Sequence, residues 1–189
     1  MSQEKRPVRV AIIGTAARSD YLYGPILQAL PHEVELVSVW GRSEASAQRL
    51  GETLQAPWYT DLDRLVRETA PEIGIVSVAY GANGEVGLAA VEAGLHVLLE
   101  TPIAHKLSEA DAIIAAVHVD SSRGERPRHT IAINRAEACS SAIDRSVNEL
   151  MNHSICASLS SPPSRLVRMT SRIVTAAIGQ TVPTARRVV

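Results

Sequence analysis

The chain has 189 residues, a net charge of −1 and 46% hydrophobic residues, which predicts one ordinary globular domain with room for only a fragment of a second. Its two cysteines form no CxxC pair and its six histidines show no HxxxH or HExxH spacing, so we predict neither a disulfide framework nor a metal site. The charged start MSQEKRP and the short apolar run after it fit neither a signal peptide nor a membrane span. We therefore expect a cytoplasmic protein without a membrane partner.

Strand and helix patterns alternate along the first 117 residues. In chain order, they predict a strand at 8–14, a helix at 24–30, a strand at 34–40, a helix at 43–54, a short extended piece around Trp58, a helix at 61–70, a strand at 72–79, a helix at 85–94, a strand at 96–100 and a helix at 108–117. The strands are apolar without alternation, which is typical of a parallel sheet covered on both faces. Right-handed crossovers then give an α/β fold with a Rossmann-type doubly wound parallel sheet.

Residues with capping chemistry mark several predicted helix ends. Ser43 is the predicted N-cap of the second helix, and Gly94 occupies the C′ position of the fourth. Ser108 and Asp111 resemble a capping box at the start of the fifth helix.

Ligands of such a sheet bind beyond the carboxyl ends of its strands. Those ends carry Gly14 and the turn after it, Gly41-Arg42-Ser43, Ala79-Tyr80-Gly81 and Glu100-Thr101-Pro102. We predict that Glu100 faces the ligand crevice; the alternative is a carboxylate that serves only its own turn or a helix dipole.

The turn after the first strand, GTAARSDYLYGP, keeps part of a dinucleotide-binding fingerprint. The three glycine slots of GxGxxG hold Gly14, Ala16 and Ser19, so only the first glycine is present. Backbone N–H groups of the turn, which also includes Thr15, are predicted to hold the phosphates at the start of the following helix.

Arg42 and Ser43 follow the second strand, where an NAD site usually carries Asp or Glu. An arginine can bind a 2′-phosphate through two charge-assisted hydrogen bonds, and the serine hydroxyl can add a third. The pattern therefore favours NADP over NAD; the alternative is that Arg42 is only a solvated loop arginine.

Two stretches, VAIIGTA and VSVAYGANGEVGLAAVEAGLHVLLETP, resemble the nucleotide-binding domain of the Gfo/Idh/MocA oxidoreductases. The resemblance covers roughly residues 8–117 and implies hydride transfer between NAD(P) and a small hydroxy, carbonyl or imine substrate. Val78-Ala79-Tyr80 takes the place of the family's Thr-Pro-Asn-like turn, and Asn83 that of the histidine three residues later. Ala79 and Tyr80 would then lie by the nicotinamide.

The family's Glu-Lys-Pro falls on Glu100-Thr101-Pro102. The resemblance implies that Glu100 lies by the nicotinamide ribose and that Pro102 shapes the turn. The lysine usually credited with proton transfer is missing, and the hydroxyl of Thr101 has neither its charge nor a usable pKa. Some members that reduce other substrates, such as thiazolinyl imine reductases, lack it too. Lys106 is predicted to be a solvated surface lysine, and Tyr80 is the candidate acid, with stacking on the cofactor as its alternative role.

The remaining residues differ in composition. Residues 1–117 carry 15 acidic and 9 basic side chains, whereas residues 118–189 carry 5 acidic and 10 basic ones, all arginine. All six aromatic residues lie within the first 80 positions, although aromatic side chains supply much of the burial in most cores. The C-terminal segment is therefore expected to be truncated or poorly ordered.

We predict three regions: 1–120 as the NAD(P)-binding Rossmann domain, 121–151 as its last strand and helix, and 152–189 as an irregular tail or remnant of a substrate domain. Three accounts of the tail compete. It is a shortened second domain, a basic arm for nucleic acid, or the product of a frame change near Val117. The frame change is favoured because charge, lysine usage and aromatic content all change there.

The sequence thus predicts the NAD(P)-binding part of a Gfo/Idh/MocA-type oxidoreductase that is truncated and lacks the usual lysine, so that turnover by this chain alone is doubtful. The alternative is a non-catalytic Rossmann module that acts as a sensor or subunit. The expected partner is an unidentified small-molecule substrate rather than nucleic acid, and homo-oligomerisation is left open.

Overall fold

A computed structural model of the chain describes residues 6–79, 81–118 and 131–133. Its sheet contains six strands: β1 Val8–Ile13, β2 Val34–Trp40, β3 Trp58–Tyr59, β4 Ile73–Val76, β5 His96–Leu99 and β6 Ile131–Ile133. They lie in the order β3-β2-β1-β4-β5-β6, and every neighbouring pair is parallel. This confirms the predicted Rossmann-type parallel sheet. The order reverses between β1 and β4, the point at which such sheets open a crevice.

The helices connect successive strands. The first begins at Ala17, contains a π-helical turn over Ser19–Tyr23 and continues as α1 Gly24–Gln28. The others are α2 Glu44–Leu54, α3 Leu62–Thr69, α4 Asn83–Glu92 and α5 Leu107–His118. Within the described residues, no helix combines the length and apolarity needed to cross a membrane.

The apolar strands form a core on each face of the sheet, as their lack of alternation predicts. On one face, Ile12 and Ile75 pack with side chains of α1 and α2, including Ile26 and Leu50. On the other face, Ile13, Val76 and Leu99 pack with side chains of α4 and α5, including Val86 and Ile113. Each such side chain contributes about 1.5–3 kcal/mol when fully buried. The two cores fix the ends of the strands, and therefore the turns that follow them.

Several predicted boundaries are confirmed. β2 spans the predicted residues 34–40, and the Ser43 hydroxyl caps α2 by accepting a hydrogen bond from the Ser46 N–H at 3.4 Å. Gly94 follows the C-cap of α4 with φ of +92°, a conformation that glycine adopts without strain. The first helix begins seven residues earlier than predicted, because residues 17–23, which directly precede the predicted start, are themselves helical.

The capping box predicted from Ser108 and Asp111 is wrong. Since α5 begins at Leu107, Ser108 lies inside its first turn. Glu109 instead reaches back over the helix start, where its carboxylate accepts a hydrogen bond from the His105 N–H at 3.3 Å and pairs with Lys106. Partial desolvation acts to raise the pKa of Glu109, but the contacts with Lys106 and His105 outweigh it and leave the pKa below its usual value.

Part of the predicted C-terminal region is described. β6 falls within the region 121–151 that was predicted to supply the last strand and helix of the domain, and it pairs with β5. The predicted helix after it, the tail 152–189 and Tyr80 lie outside the described residues. The three domain boundaries therefore stay predictions.

Candidate functional site

The turn after β1 is held tightly against the end of β4. Gly14 has φ of +117°, and a Cβ atom at this position would collide with the backbone carbonyl of Ser77. The Ala16 N–H donates to the same Ser77 carbonyl at 3.3 Å. Gly14 is therefore required by the close approach of two strands at the point where their order reverses, which is where a dinucleotide binds in this fold.

The Ser19 hydroxyl stabilises this turn through hydrogen bonds inside the protein. It is fully buried and donates to the Gly14 carbonyl at 2.8 Å, with the Ser77 carbonyl at 3.4 Å. The structure thus gives the serine in the third glycine slot a bonding partner inside the protein. The half-buried Thr15 and Ala16 and the exposed Ala17 form the outer part of the turn, where the helix presents its N-terminal end.

The turn after β2 lies beside the turn after β1. A Cβ atom on Gly41 would be 2.9 Å from the Thr15 methyl carbon, so the absence of a side chain on Gly41 lets the two turns touch. Arg42 and Ser43 follow, and both are exposed. The Ser43 hydroxyl donates to the Ser46 hydroxyl at 2.8 Å in addition to capping α2. An arginine side chain and the N-terminal end of α2 are therefore both exposed next to the first turn, and both attract anions.

Glu100, at the end of β5, has a buried carboxylate with both oxygens hydrogen-bonded inside the protein. Arg18 Nη1 donates to Oε2 at 2.6 Å, and the Tyr23 hydroxyl donates to Oε1 at 2.6 Å. The side chain of Glu100 is 7% exposed and that of Arg18 is 24% exposed. The carboxylate predicted to face the crevice thus joins the turn after β5 to the first helix.

Sequence reasoning missed Arg18 and Tyr23 as site residues. Residues five apart in an α-helix point about 140° away from each other. In the π turn, however, the Gly24 N–H donates to the Ser19 carbonyl five residues earlier, and the larger number of residues per turn brings such a pair toward one face. No signal in the sequence marks the π turn, so α-helical spacing separates two side chains that in fact meet at one carboxylate.

Asn83, the first residue of α4, fixes the turn that contains Thr101 and Pro102. Its side-chain amide donates to the Pro102 carbonyl at 2.8 Å and lies 3.4 Å from the Glu100 carbonyl. Its amide oxygen is buried and has no hydrogen-bond partner among the described residues. The Thr101–Pro102 peptide bond is cis. The sequence singled out Asn83 only because of its position in the family resemblance, and that position did not predict the hydrogen bond to the Pro102 carbonyl.

The turns that follow β1, β2, β4 and β5 form one rim of the sheet. This rim brings together most of the predicted site residues that the structure describes. Exposed Ala79 ends the segment after β4, and Thr101 and Pro102 are half-buried beside Glu100. Lys106 is 71% exposed and paired with Glu109 at 3.3 Å, which confirms a surface lysine. In the described part of the chain, no group of three or more His, Cys, Asp or Glu side chains is arranged to ligate a metal. The arrangement offers helix N-terminal ends and arginines for an anionic ligand.

The tyrosine of β3 belongs to a surface cluster outside this rim. The Tyr59 hydroxyl donates to Glu68 at 3.2 Å, and Arg64 Nε donates to the other carboxylate oxygen at 2.8 Å. Desolvation, followed by the contact with Glu68, raises the pKa of Tyr59. The hydrogen bond from Arg64 lowers the pKa of Glu68 and raises that of Arg64.

The chain is similar to fungal proteins over its first part. It is 30% identical over 106 residues to an uncharacterized oxidoreductase of Schizosaccharomyces pombe, an alignment that covers 55% of this chain and 29% of that protein. It is 27% identical over 113 residues to an uncharacterized protein of Saccharomyces cerevisiae, covering 57% and 32% respectively. The chain therefore spans about a third of the length of these curated relatives.

Solved structures with the same fold include a ketoreductase and a dehydrogenase. KijD10, a 3-ketoreductase from Actinomadura kijaniata in complex with NADP and TDP-benzene, matches with a TM-score of 0.57 and 22% identity over 78% of this chain and 44% of that one. The WlbA dehydrogenase from Chromobacterium violaceum, in complex with NADH and UDP-GlcNAcA, matches with a TM-score of 0.60 and 19% identity over 80% and 41%.

The family comparison covers strands β1 to β5 and the turns that follow them. Residues 8–125 match the model of the GFO_IDH_MocA oxidoreductase family, NAD-binding Rossmann fold, and the chain belongs to this family.

Proposed function

We propose that this chain is the NAD(P)-binding part of a Gfo/Idh/MocA oxidoreductase, which transfers hydride to or from a small hydroxy, carbonyl or imine substrate. The observation that carries the proposal is the turn at Gly14, held against Ser77 where the strand order reverses, with the N-terminal end of the first helix beside it. Family membership and relatives solved with NADP or NADH support it.

The residues present fit a dinucleotide. The turn from Gly14 to Ser19 would hold the phosphates, since the first N–H groups of a helix lack acceptors within the helix. Exposed Arg42 and Ser43 would hold the adenosine ribose, and the arginine favours a 2′-phosphate, hence NADP over NAD. The nicotinamide would lie toward Ala79, Tyr80, Glu100 and Pro102. When bound, the cofactor supplies or accepts the hydride; the chain's own contribution is to bind and orient it.

Proton transfer needs a group other than the missing lysine. Thr101 occupies that position and is half-buried beside Glu100. Lys106 is exposed at the surface and pairs with Glu109. Tyr80 therefore stays the proposed acid, on the strength of its position directly after Ala79 at the β4 end of the rim.

A second candidate function is a non-catalytic nucleotide-binding module that acts as a sensor or subunit. The threonine at position 101 favours it, because a hydroxyl neither carries charge nor titrates near neutral pH. For the oxidoreductase we propose a small-molecule substrate, and for either function a homo-oligomer is a further proposal.

Titration of the whole chain with NADPH and NADH, followed by nicotinamide fluorescence, tests the proposal. Saturable binding with preference for NADPH, together with turnover on a panel of polyols, sugars or imines, supports the oxidoreductase. Saturable binding without turnover supports the module. If neither cofactor binds, both functions are wrong.

A further inference from the structure

The ion pair between Arg18 and Glu100 places two opposite charges at the nicotinamide end of the rim. Arg18 Nη1 and Glu100 Oε2 are 2.6 Å apart, and the carboxylate is nearly inaccessible to solvent. The two charges of the pair cancel. Its carboxylate is the one that the proposed function places beside the nicotinamide. The charge of the rim at this point therefore depends on a residue of the first helix.

We propose that Arg18 sets the relative affinity of the site for oxidised and reduced cofactor by neutralising Glu100. This inference rests on the proposed function, since it requires a nicotinamide near Glu100. The oxidised ring carries a positive charge that the reduced ring lacks, so an unpaired carboxylate beside it favours the oxidised form. An unpaired arginine favours the reduced form. With both residues present, the rim discriminates little by charge.

The size of the effect follows from Coulomb's law. One uncompensated charge about 8 Å from the ring changes the ratio of the two dissociation constants by about twofold to thirtyfold, depending on how strongly solvent screens it. Burial of Glu100 limits that screening, because water has little access to the carboxylate. An effect of about threefold or more is therefore expected.

Tyr23 allows the effect of the Arg18 charge to be distinguished from the effect of losing a hydrogen bond to Glu100. Its hydroxyl donates to the second oxygen of Glu100 at 2.6 Å and carries no charge. Loss of that hydroxyl removes a hydrogen bond from the carboxylate but leaves the ion pair. Loss of the Arg18 guanidinium leaves the carboxylate bonded to Tyr23 but without its counter-charge. Each change thus removes one hydrogen bond from the carboxylate, but only the change at Arg18 removes a charge.

The experiment measures dissociation constants of NADP⁺ and NADPH for the full chain and its variants. Arg18→Gln is expected to shift their ratio by about threefold or more toward the oxidised form, and Glu100→Gln by a similar factor toward the reduced form. The double variant Arg18→Gln/Glu100→Gln is expected to return to the wild-type ratio, as is the charge-preserving Arg18→Lys. Tyr23→Phe and Arg49→Gln, which removes an exposed ion pair between α2 and Asp20 of the first helix, serve as matched controls with the wild-type ratio.

The outcomes distinguish a failure of the charge inference from a failure of the proposed function. If the wild type binds both forms and the ratio moves by less than twofold in both single variants, or moves in the same direction in both, Arg18 does not set the charge and the proposed function stands. If the wild type binds neither form, the inference and the proposed function both fail. Circular dichroism checks folding, and should Arg18→Gln not fold, Glu100→Gln compared with Arg18→Lys decides the sign.

Discussion

Arg18 and Glu100 are 82 positions apart in the sequence, yet their side chains meet at 2.6 Å. Arg18 is on the first helix and Glu100 directly follows β5. The contact therefore connects the ends of β1 and β5, which lie on opposite sides of β4. The geometry of the turn after β1 and that of the turn after β5 are therefore linked through one ion pair.

Removal of Arg18 is expected to destabilise the fold. Arg18→Ala leaves the buried Glu100 carboxylate without its counter-charge, which costs about 3–5 kcal/mol for a fully buried pair, and the partial exposure of Arg18 reduces this to about 2–4 kcal/mol. Urea unfolding measures the free energy of unfolding. Arg49→Ala, whose pair with Asp20 is exposed on both sides, is the matched control with an expected loss below about 1 kcal/mol. Equal losses in the two variants would show that burial of Glu100 adds nothing.

Gly14 is expected to tolerate no side chain. Gly14→Ala places a methyl group against the Ser77 carbonyl in addition to the strained positive φ, and an expected loss of about 3 kcal/mol or more combines both effects. Gly94→Ala is the control, since Gly94 has φ of +92° with nothing within 4 Å of its Cβ position. Its loss is expected near 1 kcal/mol. Thermal or urea unfolding compares the two, and a Gly94 loss as large as the Gly14 loss would contradict the collision with Ser77.

Arg42 is expected to select between the two cofactors. Arg42→Gln removes a charged hydrogen-bond donor worth about 1.5–3 kcal/mol, so the dissociation constant of NADPH is expected to rise about tenfold to a hundredfold while that of NADH stays constant. Fluorescence titration measures both constants. Arg67→Gln removes another exposed arginine, on α3, and is expected to change neither. A loss shared equally by NADPH and NADH would exclude a 2′-phosphate contact.

The pKa of Glu68 is expected to depend on its pairing with Arg64. Because the hydrogen bond from Arg64 lowers the pKa of Glu68, Arg64→Gln is expected to raise that pKa toward the ordinary value of glutamate. The stabilisation from the pair is present above the pKa of glutamate in the unfolded chain, about 4.3, and is lost as the pH falls through the lower pKa of the folded state. NMR titration of the Glu68 carboxyl measures the shift. Arg67→Gln should move it less; a larger effect there would reverse the assigned order of causes.

The sequence was sufficient for the sheet and for the residues at its strand ends. Long apolar strands such as 34–40 predict a parallel sheet because both of their faces are buried, and Gly14 is recognisable because a glycine directly after a strand indicates an unusual backbone. Ser43 was predictable as an N-cap because capping depends on only a few neighbouring residues.

Features that depend on distant contacts were not predictable. Arg18 directly precedes the π turn and Tyr23 ends it. Because the spacing of this turn departs from α-helical periodicity, the sequence gave no sign that both side chains meet Glu100. Ser19 occupies a glycine slot, but its bond to the Gly14 carbonyl follows from the tight packing of β1 against β4. The error at Ser108 arose because a serine followed three residues later by an acidic residue also occurs inside a helix, and Glu109 offered a competing partner.

β3 consists of only two residues, Trp58 and Tyr59, on the outer side of β2. The exposed border of a sheet is where another chain can add itself through free backbone groups, and natural proteins often shorten their border strands for this reason. Because β3 has so few backbone N–H and carbonyl groups, this edge of the sheet is a poor template for aggregation. A sheet of apolar strands is therefore protected at this border from pairing with another chain.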